Sequence, residues 1–157
     1  MGKMNVAQDI HIVPVRATTT DTATFIAPHI NMKLYDKVEF LVIFGTLSGG
    51  SNVLTVTQSA VTAGSTSTAI AARYRMPAAA GTDTMGDVTT LASTGLTLTF
   101  GTFTTKGIIV DVDSSDMTTA DLPYVGLTFT GANSATSTIW ALCWPKYPQE
   151  TNSGALT

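Results

Sequence analysis

The chain has 157 residues, a formal net charge of −3 and 12% charged residues, about half the charged fraction of an average soluble domain. The 8 Lys and Arg residues form no basic patch of the kind that nucleic-acid binding requires, since their one local group is Arg73-Tyr74-Arg75, interpreted as solvated side chains of a strand. No apolar run reaches the roughly 20 residues of a membrane-spanning helix. We therefore expect one domain with neither a nucleic-acid nor a membrane partner, and a weakly charged surface suited to burial in an assembly.

The amino-terminal part of the chain predicts an arm followed by an edge strand. Residues 1–8 are polar, without periodicity and without the apolar region of a secretory signal, so we expect synthesis in a cytoplasm. Residues 9–17 alternate in polarity around Ile10 and Ile12. Pro14 cannot donate a backbone hydrogen bond, which favours a strand with one free side.

The strongest signal is the segment Val38–Ala60. It begins with an apolar run over residues 38–44 and continues, after Gly49-Gly50, into a second β-branched strand around Val56. Both faces of the first strand are apolar except at Glu39, which predicts a strand between two layers. The two glycines can adopt the positive φ angles of a tight turn, so the sequence predicts a central β-hairpin.

Further strand patterns follow at fairly even spacing. Residues 114–122 are the one predicted helix, because Ser114 or Ser115 could cap it and Pro123 would end it. The other predicted elements are strands at 68–76, 96–100, 107–112, 124–130 and 136–144, an exposed loop at 77–86 and a polar tail at 149–157. Residues 88–92 are either a short strand or a continuation of that loop.

Many short strands with almost no helix are typical of an all-β fold. The predicted fold is a single-domain antiparallel β-sandwich, jelly-roll-like, over residues 9–148, and a closed β-barrel is the alternative. Cys143 lies in an apolar strand and is expected to be a small core residue, so neither a disulfide nor a cysteine zinc site is predicted.

The sequence contains no recognisable constellation of catalytic or metal-binding residues. The carboxylates of Asp111, Asp113 and Asp116 are the best candidate for a cation, but the spacing fails the calcium-loop pattern, so the favoured interpretation is a solvated strand end. His11 and His29 lack a third ligand or a nucleophile partner. We therefore predict that the protein is not an enzyme and that it uses no cofactor or metal.

Two groups of residues are candidates for an interface. Trp140, Trp144 and Tyr147 form an aromatic series that could contact another subunit, pack in the core or stack on a sugar ring. The turn Ser48-Gly49-Gly50 is a candidate contact tip at the end of the central segment.

The order of several short patterns resembles a group of small virion proteins of tailed bacteriophages, of the capsid-associated or decoration type. The similarity covers about residues 34–148. It lies in Tyr35-x-Lys37-Val38 before the apolar strand, the turn SGGSN, the strand end Thr57-Gln58-Ser59-Ala60, the segment AGSTSTAI, Asp116 and Asp121 before Tyr124-Val125, and the last strand TIWALCWPKYP.

The resemblance implies a structural protein on the capsid exterior of a virion, stabilising the shell by protein–protein contacts. Its implied partners are the major capsid protein and copies of itself, with a trimer as the implied oligomer. Flexible arms at 1–8 and 149–157 could bridge neighbours. A head–tail connector or tail component, and a carbohydrate- or receptor-binding module, are the alternative functions.

Overall fold

The protein is described by a computed structural model that covers residues 9–131, 133–147 and 154–156. The predicted arm at 1–8 and most of the predicted tail lie outside these residues. The strands are β1 (His11–Asp21), β2 (Phe25–Ile26), β3 (Ile30–Asn31), β4 (Tyr35–Leu47), β5 (Ser51–Ser59), β6 (Ser67–Ile70), β7 (Ala72–Arg75), β8 (Thr89–Leu91), β9 (Leu96–Thr99), β10 (Gly107–Asp113), β11 (Tyr124–Thr130) and β12 (Ala135–Pro145). One helical turn, α1 (Phe100–Phe103), follows β9, and a 3₁₀ turn at Ser114–Asp116 follows β10.

The strands form two antiparallel sheets that do not close into a barrel. Sheet A has the order β1-β12-β4-β10-β7-β8, and sheet B has the order β2-β11-β5-β6, with β3 also on β11 and β9 also on β5. The pairs are nested in the sequence: β1 with β12, β2 and β3 with β11, β4 with β10, and β5 with β6 and β9. This is the arrangement of a long hairpin rolled into a sandwich, a jelly roll, so the predicted fold is confirmed.

The inward faces of the two sheets form the core. In β4, the residues Val38, Phe40, Val42 and Phe44 are buried, and in β5 the residues Leu54 and Val56 are buried. Cys143 is buried as predicted, and burial raises the pKa of its thiol to about 12. Pro14 lies in β1, at the edge of sheet A, as predicted from its missing donor.

The predicted central hairpin is wrong. Both of its strands exist, but β4 pairs with β12 and β10 in sheet A, whereas β5 pairs with β11, β6 and β9 in sheet B. Gly49 and Gly50 do have positive φ values, 69° and 112°, but their turn carries the chain from one layer to the other. β4 and β5 each have one apolar face. In opposite sheets these two faces pack against each other across the core, whereas in a hairpin they would lie side by side and depend on other elements for their burial.

The predicted burial of β4 on both faces is also wrong. Glu39 and Leu41 are half-buried and Ile43 is 46% exposed. In the described part of the chain no layer covers this side of sheet A. An apolar run shows that a strand is central, but it does not show whether the second face is covered.

Two further elements differ from the sequence prediction. The strand predicted at 68–76 is divided at Ala71, so that β6 lies in sheet B and β7 in sheet A. The helix predicted at 114–122 is limited to the 3₁₀ turn, because Gln58 accepts a hydrogen bond from the Thr118 backbone N–H at 3.1 Å and donates one to its hydroxyl at 2.7 Å. These bonds hold the following segment extended against sheet B.

The described end of the chain packs against the body. The backbone N–H of Asn31 donates to the carbonyl of Ala155 at 2.9 Å, and Ala155 is buried. No helix among the described residues is long and apolar enough to cross a membrane.

Candidate interaction surface

The outward face of sheet A carries the candidate site, and we call it the open face. Directly paired residues of neighbouring strands point to the same side of a sheet. The pairing therefore places four rows across β1, β12, β4, β10 and β7. These rows are Pro14–Trp140–Leu41–Ile109–Arg75, Ile12–Leu142–Glu39–Asp111–Arg73, and the shorter Thr138–Ile43–Gly107 and Trp144–Lys37–Asp113.

The part of the open face nearest β1 and β12 is apolar and accessible. Ile12 is 42% exposed, Ile43 is 46% exposed and Trp140 is 39% exposed. Leu41 and Leu142 are half-buried between them. With strands about 4.8 Å apart and residues on one face about 7 Å apart, each position occupies about 34 Å², so the seven apolar positions of the first three rows cover about 240 Å². An exposed apolar patch of a few hundred Å² is a common form of interaction site.

The structure places two of the three predicted aromatic residues on this face. Trp140 and Trp144 both point outward from β12, opposite to Ile139, Ala141 and Cys143, so neither belongs to the core. Their positions four residues apart on one strand separate them by about 13 Å. Trp144 is half-buried beneath Lys37, whose Nζ lies 5.4 Å from the ring centre.

Tyr147 follows the end of β12 and is 74% exposed. In the described part of the chain no ring pair joins it to Trp140 or Trp144. The three aromatic residues therefore form no continuous stacking platform of the kind that a sugar ring requires.

The predicted contact tip, Ser48-Gly49-Gly50, is exposed at one end of the sandwich. Ser48 N–H donates to Ser134 O at 2.9 Å, and the Asn133 side chain donates to Ser51 O at 2.9 Å. These bonds fix the turn against the loop between β11 and β12. The tip is rigidly held, but it lies away from the rows of the open face.

Charged residues border the apolar rows on the β10 side. Lys37 Nζ lies 2.8 Å from Glu39 and 3.3 Å from Asp111. Burial lowers the pKa of Lys37, but the hydrogen bond and the charge of Glu39, with the charge of Asp111, outweigh burial and raise it. The ammonium group therefore stays charged.

Arg73 occupies the position that the sequence suggested for a cation. Its guanidinium donates to Asp111 at 3.3 Å, to Asp116 at 3.1 Å and to Asp113. The prediction of a solvated strand end and a solvated Arg73 is wrong, because the carboxylates of Asp111, Asp113 and Asp116 form ion pairs with the Arg73 guanidinium. No three His, Cys, Asp or Glu residues within the described ranges are arranged to hold a metal ion.

A groove of about 270 Å³ opens beside this charged border. Ile109 and Tyr74 line it from the sheet, and Val88 lines it from the loop before β8. Arg75 is exposed at this groove, and its Nε donates to Gly86 O at 3.0 Å. The groove continues the row that contains Leu41 and Trp140.

The two histidines are held by protein groups. His11 Nδ1 lies 2.6 Å from the hydroxyl of Tyr35, and burial lowers the pKa of the imidazole. His29 is fully buried on the outward side of sheet B, with Nδ1 at 2.9 Å from Ala27 O and Nε2 at 2.9 Å from Thr57 Oγ1. Because a carbonyl can only accept, Nδ1 carries the proton and Nε2 accepts from the hydroxyl.

Sequence reasoning missed most residues of the open face. Leu41 and Ile43 were assigned to a covered strand, and Ile12, Ile109 and Arg75 were not selected. The available signal was the alternation of β12, which placed Trp140 and Trp144 on one side. The pairing of distant strands, which collects these side chains into rows, cannot be derived from such local alternation.

No protein-family model matches the chain, and neither a curated protein nor a solved structure shows significant similarity to it.

Proposed function

We propose that this chain is a structural protein of a virion that decorates and stabilises a bacteriophage capsid, and that it binds the shell through the open face. The observation that carries the proposal is the accessible apolar part of that face, around Ile12, Ile43 and Trp140. An apolar patch framed by charged residues has the anatomy of a protein–protein interface.

The fold and the surface chemistry support this proposal in different ways. Jelly rolls are found in viral capsid and lectin domains, which is an argument from analogy of fold alone. The low charge of the chain and the accessible apolar side chains of the open face favour a binding mode based on area. Many copies on a lattice would then give avidity from modest individual contacts.

The proposal is tested with phage heads assembled without this protein. Purified protein should sediment with these heads in hundreds of copies and raise the temperature at which they break open. The double variant Ile43→Thr/Trp140→Thr should bind at least 10-fold more weakly, because the central contacts of an interface contribute most of its binding energy.

A matched control variant is Val61→Thr/Phe100→Thr. Both residues are exposed apolar side chains outside the open face, at 45% and 52% exposure. This variant should bind like the natural sequence. Absence of binding to the heads by the unaltered protein would refute the proposal, and equal weakening of both variants would refute the assignment to the open face.

A head–tail connector or tail component would use the same kind of face in a ring. The number of copies in a particle separates these roles, because a connector is present in about six or twelve copies and a decorating protein in hundreds, as expected for lattice binding. A sugar-binding role is disfavoured by the separation of Trp140, Trp144 and Tyr147, and a glycan array without hits would exclude it for the glycans tested.

A further inference from the structure

We infer that the groove beside the open face binds a carboxylate of the partner protein, with Arg75 as the group that recognises it. The inference rests on the proposed function, since it names the chemistry of the partner surface that meets the open face. The occupant is a protein segment that presents an Asp or Glu side chain beside an apolar one.

The cations next to Arg75 are already neutralised. Arg73 uses both terminal nitrogens and Nε on the carboxylates of Asp111, Asp113 and Asp116. Lys37 lies between Glu39 and Asp111. An additional carboxylate at either residue would have to displace an existing ion pair.

Arg75 differs from these cations. Its Nε donates to Gly86 O, and its two terminal nitrogens have no partner among the described residues. A guanidinium anchored at Nε presents the remaining N–H groups in a fixed plane, which suits bidentate binding of a carboxylate. The anchor also reduces the side-chain entropy lost on binding.

Arg75 is the cation at the groove that no described carboxylate neutralises. Lys37 and Arg73, which line the groove with it, are held by Glu39 and Asp111 and, for Arg73, also by Asp113 and Asp116. These four carboxylates and the three cations sum to −1, so the attraction of an anion is local to the Arg75 guanidinium and does not come from the groove as a whole. The partner carboxylate is therefore placed on Arg75 alone.

The apolar lining favours a protein over a nucleic acid. Ile109 lies between Arg75 and Leu41 in one row of paired residues, and Val88, at the groove, is 57% exposed. An apolar side chain of the partner would contact these residues while its carboxylate reaches Arg75. A phosphate backbone would require several free cations, whereas the described residues of the groove offer one.

The experiment measures binding to heads assembled without this protein. Arg75→Gln should reduce the affinity about 10-fold, as expected for the loss of a charge-assisted hydrogen bond, and Arg75→Glu should reduce it further. Lys33→Gln is the matched control, because Lys33 is an exposed cation outside the open face, and it should bind like the natural sequence. Thermal melting checks that each variant is folded.

A second arm tests the carboxylate directly. Heads whose accessible carboxylates have been amidated should bind the natural sequence and Lys33→Gln about 10-fold more weakly, whereas Arg75→Gln should bind treated and untreated heads equally. Equal binding of the natural sequence and Arg75→Gln to untreated heads would overturn the inference and leave the proposed function intact. Equal sensitivity of both proteins to amidation would also overturn it.

Two other outcomes would contradict the carboxylate partner or the proposed function itself. Binding of a single-stranded oligonucleotide that is lost in Arg75→Gln, without any change in head binding, would replace the carboxylate by a phosphate and overturn the inference. If the unaltered protein does not bind heads, the proposed function fails and the partner chemistry fails with it.

Discussion

The outward faces of the two sheets differ in how far the described residues cover them. The outward face of sheet B is rich in threonine, and the chain covers its centre with its own buried His29, which contacts Thr57 and lies over Gly126. The outward face of sheet A presents Ile43 and Trp140 without a cover in the described residues.

The difference indicates that the outward face of sheet B contributes to folding and that the open face contributes to association. On sheet B the polar groups of His29 are satisfied internally, and Thr62 accepts the His29 backbone N–H at 2.7 Å. That face therefore contributes to the stability of the isolated chain. On sheet A the apolar area gives little stability until another surface removes it from water. The comparison predicts that mutations on sheet B alter folding and that mutations on the open face alter binding.

The largest expected effect is that of Gly126→Val. A Cβ at this position would lie 2.4 Å from His29 Nδ1, so the imidazole would have to leave its site and its two hydrogen bonds. Overpacking and loss of buried hydrogen bonds together should cost about 3 kcal/mol in the free energy of unfolding. Urea denaturation measures this change. Gly101→Ala is the control, because a Cβ there meets nothing within 4 Å, and a comparable loss in that variant would show that the His29 site is not the cause.

A smaller loss of stability is expected at the core residue Val42 of β4, and almost none at its outward-facing neighbour Ile43. Val42→Thr places a hydroxyl in the core, where Val42 is fully buried, and should reduce the free energy of unfolding by about 2 kcal/mol. Ile43→Thr changes the 46% exposed neighbour on the open face and should change it by about 0.5 kcal/mol or less. The same denaturation measurement compares them. A large loss in Ile43→Thr would indicate that this face is covered within the monomer.

The smallest effect is a dependence of stability on pH through His29. Burial lowers the pKa of His29 below its ordinary value of 6.5, so the unfolded chain binds the proton more readily than the folded chain. Stability from this residue is therefore present above pH 6.5 and is lost as the pH falls from 6.5 through the folded pKa. His29→Gln should show a shallower fall in unfolding free energy between pH 7.5 and 5.5 than the natural sequence.

His11 contributes in the same direction, because burial also lowers its pKa, so part of the slope should persist in His29→Gln. The double variant His11→Gln/His29→Gln should reduce it further. An identical slope in the natural sequence and His29→Gln would contradict the role of the buried imidazole.

Local patterns predicted the strands more accurately than their partners. The alternation of β12 correctly separated Trp140 from Ile139, and Pro14 correctly indicated an edge strand. The helix at 114–122 failed because Gln58, far away in the sequence, holds Thr118 by two hydrogen bonds. The carboxylates of Asp111, Asp113 and Asp116 were interpreted as a solvated strand end, because their counter-charge, Arg73, lies on a different strand.

The sequence alone determined the all-β class, the inward faces of the main strands and the buried position of Cys143, because these follow from side-chain periodicity within each strand. Only the tertiary structure decided that the Gly49-Gly50 turn joins two layers, and that among the described residues one face of β4 has no cover and Arg75 has no counter-charge. These features depend on which distant strands are neighbours. Neighbours are selected by burial of whole faces across the core, a quantity that no short segment contains.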